Sequence, residues 1–436
     1  MGTVADYIGC QFCRYDTDGT VHCSMKGADL KKYNNGCPSC VSLPKVEDLL
    51  DHEVKTKRIE YQEEIRRKLS EDRATLVLGA GVSMPMGMPN WLGLISKMAG
   101  YAQQYVDYAG GEPSSEEDVR RLYVKLEQEL TSGDLKLFNG VNVLESGQYI
   151  EQAFRSVAGN KSAQHLLKET LSIIIEKSFT PAQWIEKKWN ESYPSKNDPK
   201  EHPLLVAKHN SLCAAAYLLY ADHGFRRTLT YNYDTLVQEF LMDVFGVSPD
   251  KIFTHPGEWN NCSRKGVDDP IDIFHVHGCI PRKEKLEKPS SAFPKESEQI
   301  VLTESSYYDT EQLGAYNWQN SIQSYYLNRD SCIFVGFSAD DYNFRRILRQ
   351  MGTGSHPKHY LIFTIDNVAQ ETWAAVCRRR LFSSATAEQM REESLRLLKL
   401  QLDMKTAYWK RYDFYPIWVT VNDIPEFLLS LVEDDS

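Results

Sequence analysis

The chain has 436 residues, with 50 Lys or Arg against 60 Asp or Glu and a formal charge of −10, enough for one large domain with an appendage. The acidic excess is spread along the chain and leaves no basic surface for phosphates, so nucleic acid is not expected as a direct ligand. No apolar run approaches the roughly 20 residues of a membrane span.

The first residues, MGTVADYIGCQFC, lack the basic and apolar regions of a signal peptide, so a cytoplasmic location is expected. Residues 1–45 hold half of the ten cysteines. In a long chain of this kind reduced thiols or a metal site are expected rather than disulfides. Cys10-x-x-Cys13 and Cys37-x-x-Cys40 have the spacing with which four thiolates close a tetrahedral zinc site. A structural zinc in a small zinc-ribbon-like module is the expectation; unligated thiols and an iron–sulfur cluster are the alternatives, and Cys23, beside His22, is spare.

Residues 46–72 are charged, with Leu and Ile at helical spacing, and read as a connecting helix. A main domain is expected over 73–436. It opens at Thr75–Leu78, a short apolar strand that turns into the loop GAGVS. Residues from about 100 to 205 read as a helical insertion, with SSEEDVRRLYVKLEQEL capped at Ser114 or Ser115 and LLKETLSIIIEKSF after it. Strand-like runs follow at RRTLTYN, IDIFHVHG, QIVLT, SCIFVGFS, HYLIFTI and PIWVTV, alternating with helical patterns and ending in the helical PEFLLSLV. That alternation predicts an α/β fold, a Rossmann-like parallel sheet with helices on both faces.

Gly79-Ala80-Gly81-Val82-Ser83 follows a predicted strand, where glycines let the backbone approach a pyrophosphate and the next helix offers its amides. A structural turn is the competing reading. Met84 stands where a third Gly would complete the dinucleotide pattern, and no Lys follows to make an ATPase loop. Asn232 and Asp234, in TLTYNYDTL, fall at the end of a strand, the edge at which parallel sheets bind ligands; both residue types also cap helices. In IDIFHVHGCIP alternation puts His275 and His277 on one face, and a hydrogen-bonded core role suits His275. A His-x-His pair can begin a metal site, but further ligands are not arranged nearby. Cys279 has nucleophile chemistry and reads as an ordinary buried thiol. Gly336-Phe337-Ser338 ends another apolar run and offers a small residue and a hydroxyl to a ribose, while Ser338, Asp340 or Asp341 can instead cap the helix carrying Arg345 and Arg346.

Four pieces occurring in order, LVLGAGVSMPMGMPNW, LTYNYDTLVQEFL, FHVHGCIPR with IVLTESSYY after it, and VGFSADDYNFRRIL, resemble the sirtuins. They are most similar to the sirtuin-like domains of bacterial NAD-degrading defence proteins. The resemblance covers residues 73–436 apart from the insertion. It implies that Gly79, Ala80, Gly81, Ser83, Pro89, Trp91, Gly336 and Ser338 bind NAD, that Asn232 orders the ribose and the reacting water, that Asp234 contacts the nicotinamide amide, and that His277 is the general base. Tyr231 stands where deacylating sirtuins have Gln, and the region after His277-Gly278 in which those enzymes carry paired cysteines has only Cys279 and then Cys332. A NAD hydrolase releasing nicotinamide and ADP-ribose is therefore expected; a protein deacylase and a catalytically silent NAD or ADP-ribose sensor are the alternatives. The resemblance also implies an antiphage role, with a homo-oligomer, a HerA-type ATPase or a phage-derived activator as regulator.

Overall fold

The computed structural model describes residues 13–15, 21–23, 28–29, 52–101 apart from 92, 96 and 99, 143–157, 163–193, 198–255, 267–286, 292–293, 300–303, 306, 318–339, 341–351, 356–366, 368–369, 372, 375–376 and 387–432. The chain divides into two compact units, Met1–Glu63 with Ile362–Ile424, and Glu64–Leu361 with Pro425–Ser436.

In the smaller unit, β1 (Cys13–Tyr15), β2 (Val21–Cys23) and β3 (Ala28–Asp29) form an antiparallel sheet, with Cys13 in register with Cys23. Cys10, Cys37 and Cys40 lie outside the described residues, and so does the four-cysteine site expected from the sequence. Among the described residues no group of three or more His, Cys, Asp or Glu is placed to hold a metal ion. The charged segment ahead of the main domain forms helix α1 (His52–Ser70).

The larger unit is built on β4 (Ala74–Leu78), β5 (Arg227–Thr230), β6 (Ile252–Phe253), β7 (Ile271–His275), β8 (Ser331–Val335) and β9 (His359–Thr364), in the order β9-β8-β4-β5-β7-β6. The pairings β4–β5, β4–β8, β5–β7, β6–β7 and β8–β9 are all parallel. Every residue of β4 and β8 is buried, as expected of central parallel strands, whose apolar runs are continuous because helices cover both faces. The chain leaves β4 toward β5 and later returns to β8 on the other side, so the strand order reverses at β4. In open α/β sheets the crevice beyond the carboxyl ends of the strands at such a reversal is where ligands bind.

Helix α2 (Ala80–Ser83) follows β4 directly. The expected insertion contains α3 (Val143–Val157) and α4 (Ala163–Glu176). Their apolar faces close a core with Leu94, Ile95 and Met98 on one side and Tyr233, Ile280, Ile300 and Leu302 on the other. The insertion thus packs directly beneath the loops that end β5 and β7. Helix α5 (Ser211–Tyr220) is capped by the Asn210 side chain, which accepts from the Cys213 amide at 3.0 Å. It is followed by α6 (Leu236–Glu239), α7 (Trp318–Arg329) and α8 (Tyr342–Met351).

Two elements differ from the sequence reading. The described part of QIVLT, residues 300–303, is buried but is not a strand: the Val301 amide donates to the His277 carbonyl at 3.0 Å, and the Val301 carbonyl accepts from the Tyr233 hydroxyl at 2.7 Å. Its backbone bonds go to the site loops instead of a ladder, and apolarity alone does not tell the two apart. The edge strand β6, with its two residues, is too short to show a period.

The smaller unit also holds β10 (Phe414–Val419) and α9 (Ala387–Lys410), which contributes Leu398 and Leu402 to a core with Ile365, Val368, Ala369 and Trp418. Among the described residues no helix is long and apolar enough to cross a membrane.

Candidate active site

Four loops leave the carboxyl ends of β4, β5, β7 and β8. Those of β4 and β8 interlock: the Gly79 amide donates to the Val335 carbonyl at 3.0 Å and the Gly81 amide to the Gly336 carbonyl at 2.9 Å. A Cβ at Gly79 would lie 2.6 Å from the Gly336 oxygen, and one at Gly81 would lie 2.8 Å from the Gly336 Cα. Gly336 itself has φ +63°, and a Cβ there would meet the Val82 nitrogen at 2.5 Å. Each glycine is thus required by the approach of one loop to the other, which gives a structural reason for residues that the sequence assigns to a pyrophosphate.

Ser83, at the end of α2, reaches the loop after β5. The Asn232 Nδ2–H donates to Ser83 Oγ at 3.1 Å, and the Ser83 hydroxyl donates to Asp234 Oδ1 at 3.1 Å. The same Oδ1 accepts from the Leu236 amide at 3.2 Å, at the first residue of α6, whose cap position is held by Thr235 and carries no side-chain capping bond. Both contacts on that oxygen are donors, an environment suited to a carboxylate. Burial nevertheless pushes the Asp234 carboxyl above its ordinary range, opposed by the Leu236 amide, by Ser83 and by the Arg282 guanidinium.

His275 ends β7 and is wholly enclosed. Its Nδ1 lies 3.0 Å from the Asn232 carbonyl and its Nε2 lies 2.6 Å from the Gln238 amide nitrogen. The amide must donate to Nε2, so Nδ1 carries the proton and donates to Asn232. Burial takes His275 down to about 4, which makes it a neutral, hydrogen-bonded core residue that holds the backbone of Asn232.

His277 lies beyond the strand end, just before Gly278, whose φ is +96°. The Tyr231 ring stands edge-on to the imidazole with centroids 4.8 Å apart. The Nε2 atom lies 3.5 Å from Asp341 Oδ2. Burial lowers the imidazole below its ordinary value and the Asp341 charge opposes that shift, so His277 is neutral at physiological pH and able to accept a proton.

Ser338 is exposed and Ala339, beside it, has φ +61°. Asp341 caps α8 by accepting from the Phe344 amide at 2.8 Å, the reading that competed with a ligand role. Pro89 and Trp91 are half-buried, and Trp91 packs on the core cluster that includes Tyr233. The structure therefore joins Ser83, Asn232 and Asp234 by direct bonds and sets His277 on the adjoining loop.

The sequence reading passes over a buried charge cluster. The Arg282 Nε donates to Glu239 Oε2 at 3.2 Å, and Nη2 donates to Ser178 Oγ at 2.7 Å and to the Phe179 carbonyl at 3.2 Å. Arg282 and Glu239 are almost completely enclosed. The available signal was an acid inside LVQEFL and a base inside VHGCIPR, both mainly apolar segments, since charged residues are buried almost only in pairs. Tyr231 was also more than a substitution: its hydroxyl donates to Gln323 at 2.7 Å.

The family model of the SIR2-like domain matches residues 226–380. A SIR2-like domain is present there. The match begins at β5 and runs past β9, so it takes in Asn232, Asp234, His277 and Gly336. Ser83 and the glycine loop precede the matched span and join the SIR2-like domain through the bonds from Ser83. No curated protein matches the chain.

Proposed function

We propose that the chain hydrolyses NAD at the nicotinamide glycosidic bond, consuming water and releasing nicotinamide, ADP-ribose and a proton. The observation that carries the reading is the buried relay from Asn232 through Ser83 to Asp234, beside a neutral His277, at the strand-order reversal of a SIR2-like domain. Asn232 orients the ribose and the attacking water. Asp234 accepts from the nicotinamide carboxamide and so fixes the ring to be expelled. His277 takes the proton from the ribose hydroxyl or, through it, from water, as a group neutral at the working pH can do. Positive charge builds on the ribose carbon as the ring leaves, in a dry site where the Asp234 carboxylate is worth more than it would be in water.

Hydrolysis is favoured over protein deacylation because Tyr231 fills the space beside His277 with a ring packed on Phe337, centroids 4.6 Å apart. In the resemblance that position belongs to the Gln of a deacylase. The physiological reading is depletion of NAD as an antiphage response, restrained until a homo-oligomer, a HerA-type ATPase or a phage-derived activator releases it. A structural zinc on Cys10, Cys13, Cys37 and Cys40 would serve assembly, away from the chemistry.

The test is chromatography of NAD incubated with wild type, Asn232→Ala and His277→Ala over a range of protein concentrations. Nicotinamide with free ADP-ribose from wild type alone is the expected result, and both variants should lose at least about a hundredfold in rate, the lower end for a missing general base. Wild-type rates in both folded variants sink the mechanism. Intact NAD that nonetheless binds the wild type would favour a sensor.

A further inference from the structure

Tyr233 stands between Asn232 and Asp234 in the chain but does not share their partner. Those two side chains bond to Ser83, whereas the Tyr233 ring is buried in the apolar core that also holds Ile280, Ile300 and Leu302. Its hydroxyl donates to the Val301 carbonyl at 2.7 Å. Burial and the Asp341 charge push the phenol well above its ordinary range, so it stays a donor at any working pH.

Val301 has a second bond, and that bond leads to His277: the Val301 amide donates to the His277 carbonyl at 3.0 Å. His277 lies in a short turn whose two ends are tied to the β5 loop. His275 donates to the Asn232 carbonyl at 3.0 Å, and the Ile280 amide donates to the Tyr233 carbonyl at 2.8 Å. Gly278, at φ +96°, supplies the left-handed step between those ends. The turn is thus pinned at both ends and, through the His277 carbonyl, at its middle.

The insertion holds the Val301 segment from the other side. The Leu302 and Thr303 amides donate to Ser306 Oγ at 2.9 and 2.8 Å, and the Thr303 hydroxyl donates to Glu151 Oε2 on α3 at 2.5 Å. One turn earlier on α3, a Cβ at Gly147 would lie 3.2 Å from the Leu302 oxygen, so helix and segment are in close contact. Residues 300–303 are clamped between α3 and the Tyr233 hydroxyl, and the residue in that grip carries the bond to His277.

We propose that Tyr233 is a positioning residue for His277: its hydroxyl, through Val301, holds the main chain of the base in place on its loop. The inference rests on the hydrolase reading for the role of His277, and on the hydrogen bonds alone for the coupling. Tyr233→Phe keeps the ring in the core and removes only the tie. Proximity effects make such a loss costly, since a displacement of about 1 Å can lower a rate by about a hundredfold.

The test is a double-mutant cycle of NAD hydrolysis in wild type, Tyr233→Phe, His277→Ala and the two combined. Tyr233→Phe should lower kcat by about ten- to a hundredfold and leave KM little changed. Once His277 is gone, the same substitution should lower kcat no further. A purely structural role predicts equal fold losses in both backgrounds, and that result overturns the proposal. Should Tyr233→Phe fail to fold, Thr303→Val takes its place in the cycle, because it releases the same segment from Glu151 with the Tyr233 hydroxyl intact; equal losses there overturn the proposal likewise. Hydrogen exchange reads the tie without turnover, and decides where His277→Ala is too slow to compare. The Val301 amide should exchange about tenfold faster in Tyr233→Phe, as loss of one hydrogen bond allows, while the amides of β4 and β8 keep their wild-type rates. An unchanged Val301 amide, or equal acceleration of all three segments, rejects the coupling. Should the wild type release no nicotinamide under any condition, the hydrolase reading falls, and the exchange rates still decide the coupling.

Discussion

Ser83 accepts from Asn232 and donates to Asp234, so one hydroxyl fixes the orientation of both polar side chains in an enclosed space. Replacing it with Ala leaves the Asn232 amide short of a partner and removes a donor from Asp234. An unsatisfied buried donor costs about 1 to 3 kcal/mol, and a misplaced positioning group costs about a hundredfold in rate. Ser83→Ala should therefore show both a lowered unfolding midpoint and a kcat for NAD cleavage down by about that factor. Undiminished kcat would mean that the relay does not serve the reaction. At this scale the position of Asn232, Asp234 and His277 just beyond strand ends was legible from the runs that precede them, whereas the roles proposed for them came from the resemblance. The reason for Gly79, Gly81 and Gly336 was not, since the partner each glycine must clear lies on a loop more than 250 residues away.

Among the elements, α8 carries two functions on one residue. Asp341 caps the helix through the Phe344 amide and places a carboxylate near His277, and two substitutions separate the roles. Asn caps as well as Asp, whereas Ala forfeits about 1 kcal/mol. Asp341→Asn should thus keep the unfolding midpoint, while loss of the negative charge lets His277 fall further below its ordinary value. With the neutral imidazole as the base of the proposed mechanism, the acid limb of kcat should move to lower pH. Asp341→Ala should show the same limb with reduced stability. An unmoved kcat limb in the Asn variant would show that the Asp341 charge does not govern the base. The strands β4, β5, β7, β8, β9 and β10 could be read from their apolar runs, which a central parallel strand needs in order to be buried on both faces. QIVLT has the same composition, yet its amide and carbonyl bond to the His277 and Tyr233 segments. A loop that closes a site and a strand that extends a sheet bury the same residue types, and only the identity of the hydrogen-bond partners separates them.

For the molecule as a whole, the same enclosure that tunes the site imposes a dependence of stability on pH. His275 is held at about 4 and His359 at about 3, both by burial, against an ordinary histidine value of 6.5. A folded value below the unfolded one means that the unfolded chain binds protons first. The stability these histidines contribute is complete above about pH 6.5 and is lost as pH falls through the folded values. For His275 the interval from 6.5 to about 4 corresponds to roughly 3 kcal/mol when fully expressed, at about 1.4 kcal/mol per unit. Asp234 and Glu239 act in the opposite sense: burial holds their folded values up, so the folded state takes their protons first and regains part of the loss on the way down. The net slope of unfolding free energy between pH 6.5 and 4 is therefore a difference between buried imidazoles and buried carboxylates. Denaturant unfolding of wild type and His275→Gln across that range isolates one contribution. The variant should be less stable at pH 7, having lost the bond that holds Asn232, but its stability should fall less steeply with acid, by up to one proton's worth of slope. Equal slopes would place the proton uptake elsewhere and remove His275 from the group that links the fold to pH.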